Sequence, residues 1–361
     1  MNVSPHNSVL SRVRRNIVGL SGYTPGEQPQ GGKWIKLNTN ENPYPPSSVV
    51  GRTLAASAVG STLTKYPDPL ATVFRMRAAD VFHVDPEMII CGNGSDDLLT
   101  MLIRTFVGDG ECLRSPSPSY ILYKTLAEIQ NAVHEEFAYN PDWSLSDQFV
   151  NSDTRCGAPL KLAIIANPNS PSGTSLSPSR ILELAEQLPC PLVVDEAYAD
   201  FAESNCINLV AENNRIIVTR SLSKSYALAG LRFGFAFAHP SIIEQMRKVK
   251  DSYNCDTLSI AAATAAIDDH DWLTDNRRKI ISTRHRLAEA MQNLGFDVTD
   301  SHANFVWCTH ATKPLRPIFE NLKQRGILVR YMRYSDWGDG LRITVGTDEE
   351  IDVFVDVMKT L

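Results

Sequence analysis

A lysine set among serines is the first group in this chain that invites chemistry. In SLSKSYALAGLRFG, Ser221–Gly234, Lys224 comes just after the apolar run Ile216–Thr219. Ser221, Ser223 and Ser225 flank it, and Arg232 follows eight residues on. Burial disfavours a lysine's charge, and an uncharged lysine amine is a nucleophile that condenses with carbonyl compounds. Hydroxyls beside an arginine suit a phosphate. In isolation, the ordinary alternative is a solvated loop lysine. A second run, DEAYADF, Asp195–Phe201, follows the apolar Leu192–Val194. A carboxylate there caps a helix, binds a metal or faces a protonated ring nitrogen. GNGSDDLL, Gly92–Leu99, is a glycine turn entering a helix, where free N–H groups attract anions. It completes neither a P-loop nor a G-x-G-x-x-G fingerprint. NPNSPSG, Asn167–Gly173, is a turn by composition, with an amide able to donate to an oxygen anion. Tyr120 follows a Pro-Ser-Pro bend and is either a packed tyrosine or a platform for a flat ring. Arg330 in GILVR and Arg342 in GLRITVG lie in apolar, strand-like surroundings. A guanidinium there needs an anionic partner, either a structural carboxylate or a ligand's carboxylate or phosphate.

The elements that must position these groups are legible in outline. Apolar runs at Met88–Cys91, Leu162–Ala166, Leu192–Val194, Ile216–Thr219 and Phe233–Ala238 read as strands, and Glu111–Arg114 is a short strand candidate. Helical spacing appears between them, as in Leu98, Leu99, Leu102 and Phe106, and Ser177-Pro178 opens another helix. Near-continuous apolar strands separated by helices predict an α/β fold with a mostly parallel sheet covered on both faces. The polar motifs then sit at the strand ends, where such sheets bind ligands. After about residue 260 a helix-rich stretch leads to NFVWC, GILVR and LRITVG, which predicts a smaller α+β domain. Residues 20–47 read as an extended arm, rich in Gly, Pro and Asn. The expected division is an arm over 1–47 that joins the small domain and a dimer contact, a large domain over 48–260, and a small domain over 261–361.

Composition narrows the function classes. The chain has 361 residues, 43% hydrophobic and 21% charged, with formal net charge −6. That balance supports a large core and gives no reason to expect nucleic acid or an anionic membrane as partner. The seven cysteines are dispersed with no C-x-x-C spacing, which predicts free thiols in a reducing, cytoplasmic setting and no metal centre. No apolar run reaches the ~20 residues of a membrane span, and the arginine-bearing N-terminal stretch reads as a basic arm docked on the protein.

Taken singly these signals are weak, but their order along the chain is specific. LNTNENPYPPS, YPDP, GNGSDD, NPNSPSG, DEAYADF, SLSKSYALAGLRFG and LRITVGT together resemble the fold-type I pyridoxal-5′-phosphate (PLP) aminotransferases, in particular the histidinol-phosphate aminotransferase subgroup. The resemblance runs from about residue 15 to the end. It implies the aspartate-aminotransferase-like fold, with Lys224 as the Schiff-base lysine, Asp195 at the pyridine nitrogen and Tyr198 at the ring hydroxyl. It implies Tyr120 on the ring face, and Gly94, Ser95, Asp96, Ser221, Ser223 and Arg232 around the phosphate. It further implies Tyr66 reaching the phosphate of a neighbouring subunit, hence a homodimer with shared sites, and Tyr23, Asn40, Arg330 and Arg342 facing the substrate. The subgroup usually carries two asparagines before the proline of the turn, and the second contacts the ring hydroxyl. Here that position is Ser170, so either Asn169 takes over or Ser170 makes a shorter contact. Asp97 stands where glutamate is common. The implied substrates are small amines and keto acids: histidinol phosphate and 2-oxoglutarate, giving imidazole acetol phosphate and glutamate in histidine biosynthesis. Threonine-phosphate decarboxylases and broad aromatic aminotransferases share much of the same pattern.

Overall fold

The computed structural model describes residues 9–22, 26–29, 31–58, 62–335 and 337–361. Its strands are β1 (Ile35–Leu37), β2 (Ile89–Gly92), β3 (Cys112–Ser117), β4 (Val133–Ala138), β5 (Leu160–Ala166), β6 (Leu192–Asp195), β7 (Ile216–Ser221), β8 (Gly234–Phe237), β9 (Asp297–Val298), β10 (Phe305–Thr309), β11 (Ile327–Tyr334) and β12 (Gly338–Thr344). The α-helices are α1 (Arg15–Val18), α2 (Ser48–Ser57), α3 (Thr72–Phe82), α4 (Ser95–Phe106), α5 (Leu122–Ile129), α6 (Pro178–Gln187), α7 (Leu209–Glu212), α8 (Pro240–Val249), α9 (Thr257–Asp268), α10 (His270–Asn293), α11 (Leu315–Gln324) and α12 (Asp348–Met358).

Seven strands form one sheet in the order β2-β8-β7-β6-β5-β3-β4. Only β8 runs antiparallel to its neighbours, so the expected mostly parallel sheet is present. Its strands bury both faces. Ala163 and Ile165 of β5 join a core with Val194 and Val218, while Leu162 and Ile164 join another with Val193 and Ile217. That two-sided burial is why the sequence shows unbroken apolar runs rather than alternation. Helices α3, α6 and α9 supply side chains to the first core, and α4, α5 and α8 to the second.

The second sheet has five strands, β1-β11-β12-β10-β9. β1, inside the Gly- and Pro-rich arm, pairs in parallel with β11. α10, α11 and α12 pack on this sheet through Leu287, Leu322 and Phe354. Among the described residues, no helix is long and apolar enough to cross a membrane.

Candidate active site

Ladder register sets the centre of the site. Ala166 and Asp195, the last residues of β5 and β6, stand side by side with Thr219 near the end of β7. Thr219 therefore reaches across one strand spacing and donates its hydroxyl to Asp195 Oδ1 at 3.1 Å. Tyr123 of α5 donates to Oδ2 at 2.7 Å. Burial pushes the Asp195 carboxyl above the ordinary aspartate range, against the pull of these two hydrogen bonds. Burial also pushes the Tyr123 phenol well up, so it stays a donor. A buried carboxylate held this way, open to a cavity, suits a cationic ring nitrogen as its remaining partner.

Lys224 follows β7 in a loop whose backbone is pinned from several sides. Asn42 donates its amide to the carbonyls of Lys224 (2.9 Å) and Ser225 (3.2 Å). Ser225 donates to Asp200, which with Glu196 flanks the buried Arg220. Lys224 itself is half-buried. Its Nζ donates to the Thr39 carbonyl at 3.3 Å and lies 5.8 Å from the Tyr198 ring centroid. Tyr198 packs edge-on against Phe305, and its hydroxyl accepts from the Asn40 amide at 2.9 Å. That leaves the phenolic proton to be given elsewhere.

The neighbouring wall fits a phosphate by its chemistry. Ser95 opens α4, whose N-cap, Gly94, offers no capping side chain. Arg232 spans from Ser223 Oγ to Asp96, both at 3.4 Å. Asp96 also accepts from the Tyr120 hydroxyl at 3.1 Å, so the carboxylate aims the guanidinium and the aromatic ring together. Gly94 has φ +82°, and a Cβ there would fall 2.6 Å from Arg232 Nη2. At Gly234 a Cβ would strike the Gly94–Ser95 peptide at 2.7 Å. Both glycines are thus required for the turn, the arginine and β8 to approach each other.

On the opposite side, β11 and β12 place Arg330 and Arg342 directly across from one another. Arg342 donates to Ser170 Oγ (2.8 Å) and to the Asn38 carbonyl (3.1 Å). The Arg330 side chain forms no ion pair or hydrogen bond with the described residues. Both arginines line one cavity of about 610 Å³ with Ser95, Asp96, Tyr120, Asn40, Ser170, Asp195, Tyr198, Ser221, Ser223, Lys224 and Arg232, a volume suited to a cofactor with a small substrate.

Three of the expected residues, Asn169, Gly94 and Tyr66, fall outside this lining. Of the two alternatives at the turn, Asn169 donates its amide to the Pro118 carbonyl and Ser172 Oγ, and its oxygen accepts from Ser119. It is spent holding two turns together, and Ser170 takes the cavity-facing position beside Arg342. Gly94 lies behind the wall. Tyr66 is 80% exposed and stacks on Tyr253 at 4.4 Å. Tyr23 lies outside the described residues. Conversely, Tyr123, Thr219, Thr39 and Asn42 touch the site without having been singled out. Thr39 and Asn42 lie within LNTNENPYPPS and Thr219 ends the apolar run Ile216–Thr219, so each carries a weak signal. Tyr123 carried none.

Comparison with known proteins agrees with the geometry. The family described as Aminotransferase class I and II matches residues 32–358. A histidinol-phosphate aminotransferase of Rhodopirellula baltica is 56% identical over 342 residues, 94% of this chain and 93% of that protein. One from Geotalea daltonii is 40% identical over 344 residues, covering 95% and 97%. The crystal structure of histidinol-phosphate aminotransferase from Sinorhizobium meliloti in complex with pyridoxal-5′-phosphate aligns with TM-score 0.88 at 26% identity, covering 97% of this chain and 98% of that one. With a lysine, a buried aspartate and an anion cradle at the strand ends of such a sheet, the chain belongs to the class I and II aminotransferase family, on its histidinol-phosphate aminotransferase branch.

Proposed function

We propose that this chain is a PLP-dependent aminotransferase that converts histidinol phosphate and 2-oxoglutarate into imidazole acetol phosphate and glutamate. One observation carries the reading: Lys224 and Asp195 from one sheet meet Arg330 and Arg342 from the other in a single cavity. When bound, PLP supplies an aldehyde for the substrate amine and a ring that takes up the electron pair left at the α-carbon. Ser95, Ser221, Ser223 and Arg232 would hold its phosphate, with Asp96 aiming Arg232. Tyr120 would cover the ring face, Asp195 would keep a proton on the ring nitrogen, and Tyr198 would donate to the ring hydroxyl. Lys224 Nζ takes the substrate's α-proton as general base and returns a proton in the second part of the transfer.

Arg330 and Arg342 divide the recognition of charge. Arg342 is already tied to Ser170 and the Asn38 carbonyl, a fixed fork for a carboxylate. Arg330 has no such tie, and two guanidiniums suit a dianionic phosphate better than one carboxylate does. Histidinol phosphate is therefore expected to show kcat/KM higher than phenylalanine by ~10² or more, since losing charge-assisted contacts at a partly buried site is expensive. Arg330→Ala is expected to depress the histidinol-phosphate half-reaction by a similar factor while largely sparing glutamate. Single-turnover rates with each substrate, taken beside the melting temperature, test this. Equal losses for both substrates would move the assignment to a broad-specificity aminotransferase, and carbon dioxide release from threonine phosphate would move it to a lyase.

The reading includes a homodimer with shared sites. Tyr66 is highly exposed and lies outside its own chain's cavity, as a residue serving a neighbour's phosphate would be. Light scattering is expected to give twice the chain mass, and mixed Tyr66→Ala and Lys224→Ala proteins are expected to regain activity that neither has alone. A stable, fully active monomer would end this part of the reading.

A further inference from the structure

The β11–β12 hairpin that carries the paired arginines is fastened at its far end by an aromatic contact. Trp337, in the turn just before β12, stacks on Trp143 with ring centroids 4.1 Å apart and planes 31° from parallel. Trp143 belongs to the loop after β4, in the unit that carries Lys224, so the contact joins the two sheets. Trp143 has φ +65°. A bulky side chain in that region persists only where the surroundings over-determine it. The loop closes around it: Trp143 N–H donates to the Asn140 carbonyl at 2.8 Å, and Asn140 N–H to the Ser144 carbonyl at 2.9 Å. Tyr139 packs against the same indole, 5.8 Å away. On the hairpin side, Trp307 of β10 lies so close under Gly340 that a Cβ there would fall 2.1 Å from its ring.

At its base the hairpin is held in the sheet, β11 by β1 as far as Val329–Leu37 and β12 by β10 through Arg342–Trp307, and the part of β11 beyond Val329 projects past β1. Like charges directly opposite on paired strands loosen the ladder between them, and Arg330 faces Arg342 in register. The Arg342 side chain is drawn back by Ser170 and Asn38, whereas the Arg330 side chain makes no hydrogen bond or ion pair with the described residues. Between Arg330 and the tip, Tyr331, Met332, Arg333 and Tyr334 line the cavity. Arg330 is the first residue of the projecting segment, so the lean of that segment, set by where its tip is anchored, sets how far the side chain reaches over the cavity.

We propose that the Trp143–Trp337 stack is a positioning contact that holds the hairpin against the seven-stranded unit and so keeps Arg330 over the cavity. The inference rests on Arg330 facing the phosphorylated substrate. It predicts that the stack governs substrate affinity and leaves proton transfer at Lys224 alone. The test uses the holoenzyme with Trp143→Ala, Trp337→Ala, the double variant and Trp337→Phe, with kcat, KM for histidinol phosphate and melting temperature measured for each. Each single alanine variant is expected to raise KM roughly three- to tenfold, the range an aromatic pair of this kind is worth, with kcat within about twofold. The double variant should be no worse than either single one, because both remove the same contact. Trp337→Phe should recover most of the loss. In an Arg330→Ala background, Trp337→Ala should add nothing. Unchanged KM in both single variants, while Arg330→Ala raises it, would overturn the clasp and leave the substrate assignment standing. A fall in melting temperature and kcat with KM unchanged would reduce the stack to plain stabilisation and overturn the proposal too. If Arg330→Ala itself leaves KM unchanged, the substrate assignment fails and takes this inference with it.

Discussion

Lys224→Ala is expected to lose at least ~10⁴-fold in turnover, the upper range for a positioned proton-transfer group, while the protein keeps its fold and still takes up PLP. The expectation follows from how the lysine is held. Its backbone is fixed by Asn42 and by Ser225 on Asp200, so truncating the side chain disturbs no packing contact of the loop. The phosphate cradle of Ser95, Ser221, Ser223 and Arg232 is built from other residues and survives the substitution. Borohydride reduction of wild-type holoenzyme, followed by peptide mass analysis, is expected to leave the cofactor mass on the peptide containing Lys224. Its absence there, or more than a few per cent of activity in the alanine variant, would remove the central assignment.

For Asp195→Asn, activity and stability should move apart. Activity is expected to fall about 10²–10³-fold, as when one pre-aimed electrostatic group is removed from a water-poor site, since an amide cannot hold a proton on the ring nitrogen by charge. Stability of the cofactor-free protein should not fall with it. Burial raises the folded-state carboxyl above the unfolded value. The folded chain therefore binds that proton more tightly, and the group's contribution to stability declines as pH rises through the window between the two values. Above that window the wild type carries a buried, ionised carboxylate and the asparagine variant does not. Cofactor-free Asp195→Asn is thus expected to melt at or above the wild-type temperature at about pH 8. A variant with full activity and normal PLP content would refute the role given to Asp195, and a large loss of apo stability would refute the account of its environment.

The residues at the centre of the cavity were legible because a parallel sheet exposes its chemistry in a predictable place. Lys224, Asp195 and Tyr198 each follow an apolar run, and the ends of β6 and β7 bring them together. Residues that act from the side were not legible. Tyr123 is one more aromatic in a helix, and nothing local says that it meets Asp195 across 72 positions of sequence. β4 was overlooked because VHEEFA carries two glutamates; Glu135 is nevertheless buried, paired with the buried Arg114 of β3. β3 also runs further than its apolar residues imply. It continues through Pro116 to Ser117, where it pairs only with β4 and no longer with β5, so the missing proline N–H is not demanded there. The antiparallel β8 reads like its parallel neighbours, since burial on both faces erases the difference.

The division of labour between the two sheets has a further consequence. The proton-handling groups hang from β6 and β7, and the charge-reading groups from β11 and β12. Gene duplication followed by drift in one short hairpin can then retarget such an enzyme toward a new amine while its core chemistry is inherited intact. The same separation makes the cavity-lining positions of that hairpin, Arg330–Tyr334 and Arg342, a compact cassette for laboratory diversification; with the buried Ile327, Val329, Leu341 and Ile343 kept, most losers should still fold, bind cofactor and report their failure as lost recognition alone.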